Sequence, residues 1–240
     1  MTLFRTFSLA IAGAIALSSS VAFADAITLD ASSVGQTVAL GFNGMADGTT
    51  ITGLTAGTTL TLTGITGTSY NFNYTVSNTT SDPVTSRISS FGFDTSPDIS
   101  GASSTGTYST ALLGGQAPTP FNQVDVCFKS GTSNSCSGSG GLLNGQTGSG
   151  TLSLNFASAP TTLTLSDFFV RYQSITGAGN VTSATGAGTV TSSGSTGGST
   201  GGTPVPEPGM IGLFGLGLIG LAMTRRRQAP RGRSLHLAAA

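Results

Sequence analysis

The chain has 240 residues, with no tryptophan and only one histidine, one lysine and one glutamate. Asp, Glu, Lys and Arg together make up 8% of it, about a third of their share in an ordinary soluble domain. These shortages exclude whole kinds of chemistry. The sole histidine, His236, lies beyond the last apolar segment, so the body has no base for a Ser-His-Asp or Cys-His nucleophile system. Two opposed carboxylates of the glycosidase type would have to be aspartates, because Glu207 stands in a proline-rich stretch near the C-terminus. Phosphate- and dinucleotide-binding glycine loops are missing too, since the 36 glycines are scattered rather than set between a strand and a helix. No enzymatic activity, catalytic residue, metal site or cofactor is therefore expected. Asp94 and Asp98 in "GFDTSPDISG" are the nearest carboxylate pair, a turn with a remote resemblance to a Ca²⁺ loop and more simply a solvated one.

Positive charge is scarce where a domain would need it. Between Ile27 and Thr203 three bases (Arg87, Lys129, Arg171) face seven aspartates, a net of −4. A mildly acidic body lacks the basic footprint of a nucleic-acid binder. Five of the nine bases follow residue 224.

What is present sorts into five segments. Residues 1–26 carry Arg5 and then an 11-residue apolar run, Phe7 to Leu17, too short for a bilayer and the right size for a signal-peptide core. Ala22 and Ala24 frame a small-x-small cleavage pattern, and Ala24 and Ala26 frame a second, so signal peptidase is an expected partner. Residues 27–176 read as an all-β, antiparallel, sandwich-like extracytoplasmic domain. "SYNFNYTVS" alternates Tyr70, Phe72, Tyr74 and Val76 against Asn and Thr. "QVDVCFK" places Val124, Val126 and Phe128 on one face, and "TLSLNF" does the same with Leu152, Leu154 and Phe156. Further strands are expected at 37–42, 58–65, 87–93, 161–165 and 168–175. Residues 177–203, uncharged and rich in Gly, Ser and Thr, read as a flexible linker with an average span of roughly 30 Å.

Cys127 and Cys136 are the only cysteines. In an exported chain such a pair is expected to form a disulfide rather than remain free, and a metal site would need more ligands. Tyr70, Phe72 and Tyr74 suggest a rival function, a sugar-stacking platform on a carbohydrate-binding module, although their alternation points first to a core.

The C-terminal segment, 204–227, is the most specific. Pro204, Pro206 and Pro208 hold Val205-Pro206-Glu207-Pro208 extended, a shape that a processing enzyme's groove accepts. Gly209 to Met223 is 15 residues without a polar side chain, a transmembrane helix of about 22 Å that contacts membrane lipid. Arg225, Arg226 and Arg227 then stop transfer and hold this end in the cytoplasm, with 228–240 as a cytoplasmic tail. This tripartite end resembles the PEP-CTERM sorting signal of Gram-negative bacteria. The resemblance implies an exosortase-like membrane enzyme as partner, processing near the motif, and passage from the inner membrane to the cell surface or exopolysaccharide. "VDVCF", the second cysteine and "TLSDFFVRYQSI" further resemble a small PEP-CTERM subfamily called cistern.

Overall fold

The computed structural model describes residues 26–195 apart from 118, 120 and 122. Twelve strands follow one another: β1 (Ile27–Leu29), β2 (Gln36–Ala46), β3 (Thr49–Thr66), β4 (Ser69–Asn78), β5 (Thr85–Ser96), β6 (Gly101–Ser104), β7 (Thr110–Gln116), β8 (Gln123–Lys129), β9 (Leu142–Leu143), β10 (Thr147–Asn155), β11 (Leu163–Thr176) and β12 (Ser183–Ser195). Threonine, valine and aromatic residues, which suit a pleated and half-buried surface, dominate the long ones. Tight turns set the registers. Asp47 and Gly48, both with positive φ (49° and 75°), join β2 to β3, as two-residue hairpin loops require.

All pairings are antiparallel, and the strands form one sheet in the order β6-β10-β4-β3-β2-β12-β11-β5-β8-β7. Off this path, β1 pairs with β11 and β9 with β5. The two end strands, β6 and β7, are consecutive in sequence and joined through a 3-10 turn, Gly106–Tyr108. The sheet is therefore wrapped into a nearly closed barrel. This corrects the expected sandwich: the body is all-β and antiparallel, but its two sides are halves of a single sheet joined through β12. The sides still pack face to face inside, where Tyr74 of β4 meets Phe91 of β5 at a ring separation of 5.2 Å. Phe91 in turn contacts Tyr108 at 5.5 Å and Phe128 at 5.3 Å.

The expected alternations hold in β4 and β10, whose inward residues Tyr70, Phe72, Tyr74, Val76, Leu152 and Leu154 are all buried in the main core, with Phe156 just beyond. In β8 the alternation splits. Val126 and Phe128 face that core, whereas Val124 belongs to a second cluster with Ala117, Cys127, Cys136 and Phe169. Residues 161–165 and 168–175, expected as two strands, fall within and around one, β11, interrupted by a bulge between Ser166 and Phe169. Asp167 sits in that bulge with a φ of 49°.

The largest departure concerns the linker. Residues 183–195, expected inside the 177–203 tether, form β12 at the centre of the sheet, paired with β2 on one side and β11 on the other. The physical reason lies in its inward positions, Ala184, Gly186 and Gly188, all buried. Neighbouring strands supply the bulk. A β-carbon on Gly188 would stand 2.7 Å from the Phe42 ring and 2.8 Å from Cβ of Phe168. Glycine here is a packing residue, and low-complexity composition conceals a core strand. The folded body thus runs from β1 to Ser195, leaving residues 196–203 between it and the proline motif.

Among the described residues no helix is long and apolar enough to cross a membrane. The segment expected to do so, 209–223, lies outside them, as do the signal peptide except Ala26, the sorting motif and the tail.

Candidate functional site

Of the residues singled out from the sequence, the structure brings one pair together. Cys127 and Cys136 form a disulfide with a Cα–Cα separation of 5.9 Å. Cys127 points outward from β8, so the bond lies on the outside of the sheet and ties down the loop that follows. Closing a ring of this size stabilises the fold by about 2–3 kcal/mol in the chain-entropy account. The loop folds over the one lysine. Lys129 is fully buried, and its ammonium donates to the carbonyl and hydroxyl of Ser133 and to the Gly131 carbonyl at 3.4 Å. Burial pushes its pKa down. Every one of these acceptors is neutral, so Lys129 organises its own loop. Ser90 Oγ adds a hydrogen bond to the Cys136 carbonyl from beneath.

Val205, Pro206, Glu207, Pro208, Arg225, Arg226, Arg227, Ala22 and Ala24 lie outside the described residues. Ala26 is exposed and directly precedes β1, which pairs with Leu163–Leu165 of β11. Cleavage after Ala24 or after Ala26 would leave β1 whole.

The aromatic platform does not form. Tyr70, Phe72 and Tyr74 are 1%, 2% and 1% exposed, and their faces pack against the interior. The Tyr74 hydroxyl is engaged as well, accepting from the Tyr108 N–H at 2.9 Å and donating to the Thr105 carbonyl at 2.8 Å. No sugar ring can stack on them.

Asp94 and Asp98 part company. Asp98 is exposed in the turn after β5, while the Asp94 carboxylate accepts the Asp125 N–H at 3.0 Å. Asp125 in turn accepts from the N–H and hydroxyl of Thr95 at 2.7 and 3.0 Å. Among the described residues no group of three or more His, Cys, Asp or Glu is placed to hold a metal ion. Burial raises the pKa of Asp94. The Asp125 N–H opposes that shift, and the negative charges of Asp125 and Asp167 add to it. Because the folded protein binds this proton more tightly than the unfolded chain does, Asp94 costs stability once pH rises above the ordinary aspartate range. Asp94→Asn keeps an acceptor for the Asp125 N–H and removes the repulsion. We expect a gain of up to about 0.5 kcal/mol in urea unfolding near pH 7, small because solvent screens the site. The gain should vanish at about pH 2.5, where the carboxyl is protonated in both states. An equal gain at both pH values would refute the electrostatic account.

Sequence reasoning passed over Arg171 as a binding residue. It projects from the outer face of β11 into a cleft of about 850 Å³. The β2–β3 turn (Met45, Asp47), the disulfide loop (Ser135, Ser137) and the entry to β12 (Asn180, Thr185) also line this cleft. Its guanidinium donates to Ser183 Oγ at 3.1 Å, while the buried Nε has no acceptor. Desolvation pushes its pKa down. The cleft gathers four stretches of chain far apart in sequence, and one of them was assigned to the tether.

Residues 204–227 match the PEP-CTERM protein-sorting motif. A motif of this kind implies export, membrane anchoring and sorting to the surface, with an exosortase-type processing enzyme as partner. Neither the curated proteins nor the solved structures contain a match to this chain.

Proposed function

We propose that the chain is a non-enzymatic structural protein of the Gram-negative cell surface, displayed among exopolysaccharides once an exosortase-like enzyme has acted near Val205-Pro206-Glu207-Pro208. The match of 204–227 to the sorting motif carries this reading. The body supports it: a disulfide suits an oxidising compartment outside the cytoplasm. Most of its ionisable and polar core groups serve the fold, as Asn78 does by donating to the carbonyls of Ser86 and Leu142. In this account 209–223 anchors the chain in the inner membrane, with the barrel outside and Arg225-Arg226-Arg227 inside. The expected origin within the family is the cistern subfamily.

Intact-mass spectrometry of the mature protein from its own host tests the proposal. The expected species begins after Ala24 or Ala26, ends near residues 204–208 and is two hydrogens lighter than the dithiol form. A cytosolic species of full length, with its first two dozen residues in place, would overturn it. Deleting 204–227 should release the body into the periplasm or medium, and unchanged membrane retention would count against the anchor.

A further inference from the structure

We infer that the cleft over β11 and β12 binds a hydroxyl-rich ligand bearing a single carboxylate, and that Arg171 is the residue that pairs with it. The inference stands apart from the sorting reading, because it rests on the folded body alone.

The case begins with an imbalance. A guanidinium carries five N–H donors in a planar fork suited to a carboxylate. Among the described residues Arg171 uses that fork for one hydrogen bond, to Ser183 Oγ, and no carboxylate accepts from it. Its Nε is enclosed and unsatisfied. A partly buried cation held without a counter-charge is costly, and a protein with so few cations has little reason to place one there for solubility. Arg87, on the adjacent strand, makes the contrast. Its guanidinium donates to the Ser139 carbonyl and to Gln173 Oε1 at 3.2 Å, fastening the disulfide loop to the sheet. Arg87 is committed to the fold, whereas Arg171 faces a cleft.

The cleft sets the rest of the ligand's chemistry. Its volume of about 850 Å³ lies within the range of small-molecule sites and exceeds what a bare inorganic ion needs. Ser135, Ser137, Asn180 and Thr185 offer hydroxyls and an amide, the complement of a polyhydroxylated molecule, and Met45 adds an apolar patch. Charge limits the ligand further. Asp47 lines the same cleft, and the body between Ile27 and Thr203 carries a net −4. One guanidinium in such a field favours a monoanion over a dianion such as phosphate. A sugar acid with one carboxylate meets all three conditions.

The test uses the full-length chain in detergent micelles with ¹⁵N-labelled arginine, titrated with cellobiouronic acid, cellobiose and inorganic phosphate. The first two differ at a single carboxyl group. Cellobiouronic acid should shift the Arg171 Nε–H resonance and bind at least tenfold more tightly than cellobiose or phosphate. Arg171→Gln should weaken it at least tenfold while the thermal transition stays in place. Asp47→Asn should tighten it two- to fivefold by removing the rim charge. Asparagine tolerates the positive φ at that position, so this second variant retains the fold even if the first does not. Equal affinity for cellobiose, preference for phosphate, undiminished binding by a folded Arg171→Gln protein, or weaker binding by Asp47→Asn would each overturn the inference.

Discussion

Deleting residues 183–195 should abolish cooperative folding of the body. In far-UV circular dichroism the shortened protein should show no sigmoidal thermal transition, where the intact protein shows one. The deletion takes out a central strand. β2 would lose its ladder from Gln36 to Met45, and β11 would lose its own from Phe169 to Gln173. Two buried faces would become open edges, and Phe42, Val170 and Tyr172, now 3%, 0% and 0% exposed, would meet water through the gap. Burying each such side chain stabilises by about 1.5–3 kcal/mol, so the loss approaches the whole stability of a domain this size. Gly188→Leu asks the same question without shortening the chain. Its side chain has to displace Phe42 or Phe168, and overpacking of this kind costs about 1–3 kcal/mol or more. A true tether would absorb either change within about 0.5 kcal/mol, and that result would remove β12 from the core.

The second large effect is expected where the two ends of the sheet meet. Gly106 opens the 3-10 turn that carries the chain from β6 to β7, with a φ of +76°. A β-carbon there would lie 2.1 Å from the Ser149 carbonyl oxygen and 2.8 Å from Cα of Gly150, both backbone atoms of β10. Gly106→Val therefore combines a left-handed conformation that a β-branched residue resists with a clash that no rotamer relieves. We expect a loss above about 4 kcal/mol in chemical denaturation, among the large values for single substitutions. Tyr74→Phe probes the same seam more gently. Removing its hydroxyl strands the Tyr108 N–H and the Thr105 carbonyl, at about 1–3 kcal/mol. Should both variants unfold with the wild-type midpoint, the turn would be no part of the closure.

Physical locality decides how much of this protein was legible in its sequence. The sorting segment could be read because proline stiffness, an apolar run and an arginine triplet follow one another without interruption. β4, β8 and β10 could be read because large side chains alternate within seven to ten residues. β12 escaped because its inward positions are Ala184, Gly186 and Gly188, so the signal that marks a buried strand sits on its neighbours instead. β7 escaped for a related reason, since Gly114 and Gly115 break its pattern at mid-strand. The wrapping of the sheet has no local trace, because it depends on which strands pair across long stretches of chain. Arg171 was visible as one of three cations in the body, but its surroundings come from residues 45–47, 135–137 and 180–185. The cleft became recognisable only once β12 was in place.

The position of β12 also bears on the order of events during secretion. It is the last strand to be synthesised yet the one that bridges two halves of the sheet, so each half must wait with a bare flank until Ser195 has crossed the membrane. Chain threaded from the N-terminus cannot complete its hydrogen-bond ladder piecemeal. Completion comes only eight residues before the proline motif arrives at the translocation pore, so maturation of the barrel and capture of the sorting signal fall within the same brief interval.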